Sequence, residues 1–266
     1  MAIGYINKLE TFGSVDGPGI RFVVFLQGCP MRCKVCHNPE TWKFAGSGED
    51  ACHGSTPMNA EELFAKAIRY KGFWGSDGGI TVSGGEPLMQ LDFLIEFFTL
   101  AKSAGVHTCI DTSGVNFTRA TGVPQTAKTG VATFEKFQQL LAVTDLLLVD
   151  IKHIDSAAHK ELTGHDNANI IDFFRYLDEI HKPIWIRHVL VPGISDNDEA
   201  LARTCDFIRT LGNVERVEVL PYHAFALGKY DELEIDYVLK DTQSPTAERV
   251  ENANRILETA SYTRWR

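Results

Sequence analysis

Apolar residues along this chain follow two alternating rhythms. Short runs rich in β-branched residues occur at Arg21–Gln27, Gly79–Val82, Val106–Ile110, Asp145–Val149, Ile184–Leu190 and Arg216–Leu220. Between them, apolar positions recur every three to four residues, as on one face of a helix. Six strands alternating with helices predict an α/β chain built on a parallel sheet. Several helix ends are legible. Asn59 followed by Glu62 forms the pattern of a capping box opening AEELFAKAIRYK, and Gly105 stands where a C′ glycine closes LDFLIEFFTLAKSAG. TFEKFQQLLAV, IIDFFRYLDEIH, NDEALARTCDFIRTLG and TAERVENANRILETAS complete the set, with Phe and Leu stripes that face the core. Neither a repeat nor a linker divides residues 1–266, so one domain is expected. The single long irregular insert, 114–130, is rich in Thr and Gly and reads as a mobile surface loop.

The unusual polar residues cluster where these strands end. SGGEP follows the second strand, DTSG the third, DIKH the fourth, VPG the fifth and PYH the sixth, while a cysteine-rich loop follows the first. Parallel α/β barrels gather their active sites at that rim, and open doubly wound sheets gather them at a switch point. The pattern therefore argues for a site at the strands' C-terminal ends and leaves barrel closure open.

Composition narrows the class. With 44% apolar and 23% charged residues the chain is of ordinary globular make-up, and its net charge of -9 argues against broad binding of a phosphate backbone. The first twenty residues carry charge and glycine where an export signal needs an apolar run, so a soluble cytoplasmic protein is expected. Six cysteines in that compartment are not a disulfide framework. Cys109 in a strand and Cys205 in a helix read as buried, inert thiols, and Cys52 beside His53 as an incidental loop residue.

The other three thiols stand together in GCPMRCKVCHN, Gly28 to Asn38. Three chemistries compete for them. Cys33 to His37 matches the C-x-x-C-H haem signature, but covalent attachment normally follows export. Zinc on Cys29, Cys33, Cys36 and His37 requires adjacent residues to converge on one tetrahedral centre, and no second ligand pair completes a finger. A four-iron cluster held by three thiolates leaves one iron free for a substrate or cofactor.

C-x3-C-x2-C followed by GGEP after the next strand resembles the radical S-adenosylmethionine superfamily. TFGSVDGPGIRFVVFLQGCPMRCKVCHNPETW, TVSGGEPLMQ, HTCIDTSG, VTDLLLVDIKH, WIRHVLVPG, LGNVERVEVLPYH and LGKY carry the likeness from Thr11 to Tyr230. Within the superfamily, DGPGIR at Asp16 to Arg21 resembles the glycyl radical enzyme activases, and the whole set those acting on pyruvate formate-lyase. Activases with auxiliary clusters carry further cysteine sets before GGEP, where this chain holds only Cys52. The ribonucleotide reductase activases have fewer barrel units.

What the resemblance implies is specific. The fold is a partial (β/α)6 barrel of the radical SAM type. Cys29, Cys33 and Cys36 ligate a [4Fe-4S] cluster whose open iron chelates S-adenosylmethionine. Reductive cleavage gives a 5′-deoxyadenosyl radical, which removes an α-hydrogen from a glycine of pyruvate formate-lyase. An electron arrives from flavodoxin or ferredoxin. The backbone at Val35, Cys36 and His37 contacts the adenine, Gly85 the methionyl group, Asp150, Ile151 and Lys152 the ribose and carboxylate region, and His223 the ribose. In GGEP, bare glycines let backbone carbonyls approach the cofactor's ammonium. Asp111, Thr112, Leu148 and Asp150 surround a monovalent cation, the alternative for the two aspartates being a pair of helix N-caps. Asp16 lies near the incoming glycine loop. No side chain acts as a catalyst in its own right, and a monomer suits presentation of the rim to a large partner. The competing functions are activation of another glycyl radical enzyme and electron transfer by an iron-sulfur protein that does not use the cofactor.

Overall fold

The computed structural model describes residues 1–45, 52–119 and 133–264. The chain forms two compact units, Met1–Pro30 with Thr41–Leu148, and Met31–Glu40 with Val149–Arg266.

In the first unit β1 (Ile3–Gly13), β2 (Arg21–Leu26), β3 (Thr56–Asn59), β4 (Gly79–Gly84), β5 (His107–Thr112) and the start of β6 (Leu146–Asp150) lie in the order β3-β1-β2-β4-β5-β6. β2, β4 and β5 are parallel, with Val23 opposite Thr81 and Thr81 opposite Cys109. β1 runs antiparallel to both β2 and β3. These two strands were not expected. β1, IGYINKLETFG, alternates exposed and shielded positions, as an antiparallel strand wetted on one face does, so it offers no apolar run. It also shifts register between Ile6 and Lys8 and again before Gly13.

The helices here are α1 (Ala60–Ala67), α2 (Leu91–Ser103) and α3 (Phe134–Ala142). The capping box at Asn59 and Glu62 is present in both directions, at 2.8 and 3.0 Å. α1 gives way at Ile68 to a 3-10 turn through Phe73, so it is shorter than its apolar pattern suggests. α2 buries Leu91, Phe93, Leu94, Phe97, Phe98 and Ala101, each large side chain contributing roughly 1.5–3 kcal/mol on leaving water. Gly105, at φ 65°, closes it as expected. One expectation is corrected: Val115 and Phe117, at the start of the supposed surface loop, are core. Phe117 is 0% exposed and meets Phe137 edge-on at 5.2 Å, because a phenyl ring with such a neighbour gains by leaving water. Residues 120–130 of that loop lie outside the described residues.

The second unit holds the end of β6, then α4 (Ser156–Thr163), α5 (Ala168–Glu179), β7 (Ile184–Leu190), α6 (Asp198–Arg209), β8 (Val214–Pro221), α7 (Leu227–Glu232) and α8 (Ala247–Ile256). β7 and β8 are parallel, Ile186 opposite Val217. α4 and α7 are short and mostly polar, which hid them from periodicity. α4 is nevertheless well capped, the Asp155 carboxylate accepting from the amides of Ala157 and Ala158 at 3.0 Å each. Cys109 and Cys205 are buried thiols as expected, and none of the six cysteines, all among the described residues, forms a disulfide. Among the described residues, no helix is long and apolar enough to cross a membrane.

Candidate active site

The expected polar clusters do sit at strand ends: the cysteine loop after β2, Gly85 and Glu86 after β4, Asp111 and Thr112 ending β5, Asp150 ending β6, and His223 following β8. In the first unit, backbone fixes the base of the cysteine loop. Gly28 N donates to Thr41 O at 2.8 Å, and the Gln27 side-chain amide donates to Lys43 O at 2.8 Å. Gly85 N donates to Leu26 O and Glu86 N to Gly28 O, both at 2.9 Å. The paired glycines follow from this packing. Gly84 has φ 115°, and a Cβ on Gly85 would lie 2.3 Å from the carbonyl oxygen of Gly28. Bare backbone is thus required against the protein's own loop, whatever else approaches it.

Glu86, the next residue, is 2% exposed, and its carboxylate accepts four hydrogen bonds. Oε2 receives Ser113 N at 2.9 Å and Ser113 Oγ at 2.5 Å, while Oε1 receives Leu88 N at 3.1 Å and the hydroxyl of Thr112. Burial pushes its carboxyl up from the ordinary value, against the pull of those donors. The side chain thereby ties the loop after β4 to the loop after β5. Nearby, Ser83 Oγ donates to Asp111 Oδ2 at 2.8 Å.

Arg21 performs a similar task for the DGPG turn. It is 0% exposed, and its guanidinium donates to Ile80 O at 2.6 Å, Thr81 Oγ1 at 2.8 Å, His107 Nδ1 at 3.1 Å and Pro18 O at 3.3 Å. Thr81 Oγ1 in turn donates to Asp16 O at 2.7 Å, holding the backbone of the residue expected to meet the glycine loop. Arg21 and burial together hold His107 down to about 4, so its ring is neutral and accepts from the guanidinium.

In the second unit, Arg32 N and Lys34 N donate to Thr163 O and Leu162 O at 2.8 and 2.9 Å, satisfying carbonyls that the end of α4 leaves without helical partners. Asn38 N donates to Cys36 Sγ at 3.4 Å. Tyr230 Oη donates to Cys36 O at 3.1 Å, and Lys229 Nζ to His37 O, Asn38 Oδ1 and Glu40 Oε1 at 2.9, 2.9 and 2.6 Å. Burial pushes the Cys33 thiol up to about 12, although the cation of Lys152 opposes it. Such a thiol keeps its proton until another cation replaces it. Lys152 pairs with Asp150 at 2.7 Å. His188 brings its two ring nitrogens to Ile151 O and Ser195 O, at 2.8 and 3.0 Å, and so fixes the Ile151 carbonyl. The rings of His37 and His223 stack with centroids 4.5 Å apart, and His223 leans on Phe225 at 4.1 Å. The Nδ1 atom of His223 is buried with no hydrogen-bond partner among the described residues.

The residues singled out from sequence are divided between the units. Asp16, Cys29, Gly85, Asp111, Thr112 and Leu148 belong to the first; Cys33, Val35, Cys36, His37, Asp150, Ile151, Lys152 and His223 to the second. Among the described residues no three His, Cys, Asp or Glu side chains converge as a metal cage. Neither Asp111 nor Asp150 is a helix N-cap, for Thr133 and Asp155 cap α3 and α4. The Thr112 hydroxyl donates to Glu86 and accepts from Gly114 N at 3.0 Å. Sequence reasoning missed Glu86, Arg21, Lys229 and Tyr230 as individuals, though each lies inside a quoted motif. A charged residue between glycine and proline in a loop that joins apolar elements is the signal that identifies Glu86.

Comparison with known proteins gives concordant results. The Radical SAM superfamily profile matches residues 23–205. A pyruvate formate-lyase-activating enzyme of Streptococcus mutans is 48% identical over 263 residues, 99% of this chain and 94% of the relative. The crystal structure of a domain of a pyruvate-formate lyase-activating enzyme from Bacteroides vulgatus is similar with TM-score 0.53 and 25% identity, covering 70% of this chain and 96% of that one. Coproporphyrinogen III oxidase from Escherichia coli, a radical SAM enzyme, is similar at TM-score 0.53 and 12% identity over 97% of this chain and 56% of its own, a likeness of fold alone. The expected fold class, the partial (β/α)6 barrel of the radical SAM type, is borne out.

Proposed function

Because this chain belongs to the radical SAM superfamily and, within it, to the pyruvate formate-lyase-activating enzymes, we propose that it installs a glycyl radical on pyruvate formate-lyase. Membership brings with it a [4Fe-4S] cluster and S-adenosylmethionine. When bound, these supply reductive cleavage of the sulfonium and a 5′-deoxyadenosyl radical that takes hydrogen from glycine.

The residues present fit the group. Cys29, Cys33 and Cys36 form no disulfide, and their sulfurs are soft donors suited to iron. Their loop is held by backbone bonds, Lys229 and Tyr230. Three thiols outside any disulfide, on one backbone-anchored loop that follows β2, are the observation that carries the reading. Deprotonation of Cys33 requires a compensating cation, and Asn38 N–H supports the sulfur of Cys36.

Within this reading Val35, Cys36 and His37 present backbone to the adenine, and Gly85 meets the methionyl group. Asp150, Ile151 and Lys152 serve the ribose and carboxylate region. The buried, unpartnered Nδ1 of His223 supports a role in holding a ribose hydroxyl. Asp16, on a turn that Arg21 and Thr81 hold rigid, meets the partner's glycine loop. A monovalent cation between Asp111, Thr112, Leu148 and Asp150 would steady the cofactor's carboxylate. The reading is completed by flavodoxin or ferredoxin as electron donor, a cytoplasmic monomer, and one radical SAM domain across the chain.

The test is anaerobic reconstitution with iron and sulfide, then dithionite and S-adenosylmethionine. The protein should release 5′-deoxyadenosine, and Cys33→Ala should not. Turnover in Cys33→Ala overturns the ligand assignment. Mixing with pyruvate formate-lyase should give a glycine-centred paramagnetic signal. Cofactor cleavage without that signal redirects the assignment to another glycyl radical enzyme.

A further inference from the structure

Two consecutive residues of α7 grip the segment that follows the third cysteine. All three N–H bonds of the Lys229 ammonium find acceptors within that segment, the carbonyl of His37 and the side chains of Asn38 and Glu40, at 2.6 to 2.9 Å. Tyr230 adds the carbonyl of Cys36 at 3.1 Å. A lone surface ion pair orders little. Lys229 differs because its partners include main chain and span four residues, and because Asn38 relays the contact: its Oδ1 accepts from Lys229 while its N–H donates to Cys36 Sγ.

The carbonyls of Cys36 and His37 are thus oriented from α7, and the N–H groups of His37 and Asn38 are oriented with them, since each carbonyl shares a planar peptide unit with the N–H of the next residue. A cofactor read by backbone at this segment finds its donors and acceptors already placed, without paying for their ordering on binding.

We propose that Lys229, assisted by Tyr230, is the positioning residue that pre-orders Cys36–Glu40 for S-adenosylmethionine, so that it governs cofactor affinity and not the chemical step. The proposal rests on the functional reading above. It assigns no catalytic role to α7, which acts through the loop.

The experiment compares full-length wild type, Lys229→Met, Lys229→Arg and Tyr230→Phe. In the metal-free proteins, amide hydrogen exchange over residues 36–40 should quicken in Lys229→Met and return toward wild type in Lys229→Arg. After reconstitution, iron and sulfide content should match wild type, since all three thiols remain. The KM for S-adenosylmethionine should rise about tenfold in Lys229→Met, because binding must then order the released loop, with kcat for 5′-deoxyadenosine release within about twofold. Tyr230→Phe should show a smaller rise of the same kind. An unchanged KM overturns the proposal, as does a fall in kcat at constant KM. If Lys229→Met fails to assemble a cluster, Lys229→Arg and Tyr230→Phe decide by the same KM criterion. Should wild type itself cleave no S-adenosylmethionine, the family reading fails, while the exchange measurement still judges the clamp.

Discussion

Replacing Glu86 by glutamine tests whether the acid of GGEP is a structural tie. The substitution keeps size and shape and converts one carboxylate oxygen to an amide nitrogen. Oε1 accepts from Leu88 N and Thr112 Oγ1, and Oε2 from Ser113 N and Ser113 Oγ. The two hydroxyls can rotate and become acceptors. The two backbone N–H groups cannot. In either orientation of the glutamine amide, one of them therefore faces another N–H at a site that is 2% exposed. An orphaned buried donor costs about 1–3 kcal/mol, and the displaced amide hydrogen adds a similar amount, so the loss should be about 3 kcal/mol.

Urea unfolding of the metal-free protein at pH 7 measures this directly, the midpoint falling while the slope stays constant. Thr112→Val is the companion: it removes the bond to Glu86 and also strands the buried N–H of Gly114, so it should cost a comparable amount. A loss below about 1 kcal/mol for Glu86→Gln refutes the reasoning. It would mean that Glu86 is already protonated and that glutamine mimics it.

Other outcomes follow from the same geometry. His107 is held neutral at about 4 against an ordinary 6.5, so its contribution is complete above pH 6.5 and disappears as pH falls toward 4. Between pH 7 and pH 5 the wild type should lose about 2 kcal/mol more than His107→Gln, and parallel pH profiles would contradict the assignment. Gly85→Ala places a Cβ 2.3 Å from the Gly28 carbonyl, where backbone must move; about 2 kcal/mol of stability and the cluster's retention should both suffer, while Gly72→Ala, with nothing within 4 Å, should be silent in iron analysis and unfolding. Phe117→Ala, at a fully buried ring, should cost about 3–5 kcal/mol in denaturant, whereas a true surface position would cost almost nothing.

The sequence was most informative where one force dominates. β2, β4, β5, β6, β7 and β8 are close-packed apolar runs, and their limits agree with the pattern to within two residues. Asn59 and Gly105 were readable because caps are local chemistry. β1 and β3 were not, since pairing with a neighbour, and not burial on both faces, stabilises them. Phe117 sat in a stretch whose glycines and threonines outweighed one aromatic residue whose neighbours lie far along the chain. At the site, spacing alone picked out Cys29, Cys33 and Cys36. Glu86, Arg21 and Lys229 escaped because most of their partners, backbone and side chain, are contributed by other elements, and no periodicity records those.

These three charged residues share a physical logic that bears on how the site evolves and how it can be altered. Arg21 gives its donors to carbonyls, a hydroxyl and a neutral imidazole; Glu86 takes two amides and two hydroxyls; Lys229 grips a carbonyl, an amide oxygen and one acid. Arg21 and Glu86 are thus buried polar side chains satisfied by hydrogen bonds from neighbouring strands and loops, an arrangement that holds irregular chain rigid because each bond is directional and each missing bond strands a buried polar group. A radical reaction needs such rigidity more than it needs acids or bases, since hydrogen abstraction is selected by distance and not by pKa. Substitutions at Arg21 or Glu86 should then lower the yield of the correct glycyl product per S-adenosylmethionine cleaved, in a ratio measurable by pairing 5′-deoxyadenosine release with the glycine-centred signal. A proportionate fall in both, with the ratio of wild type preserved, would show that these ties support only folding.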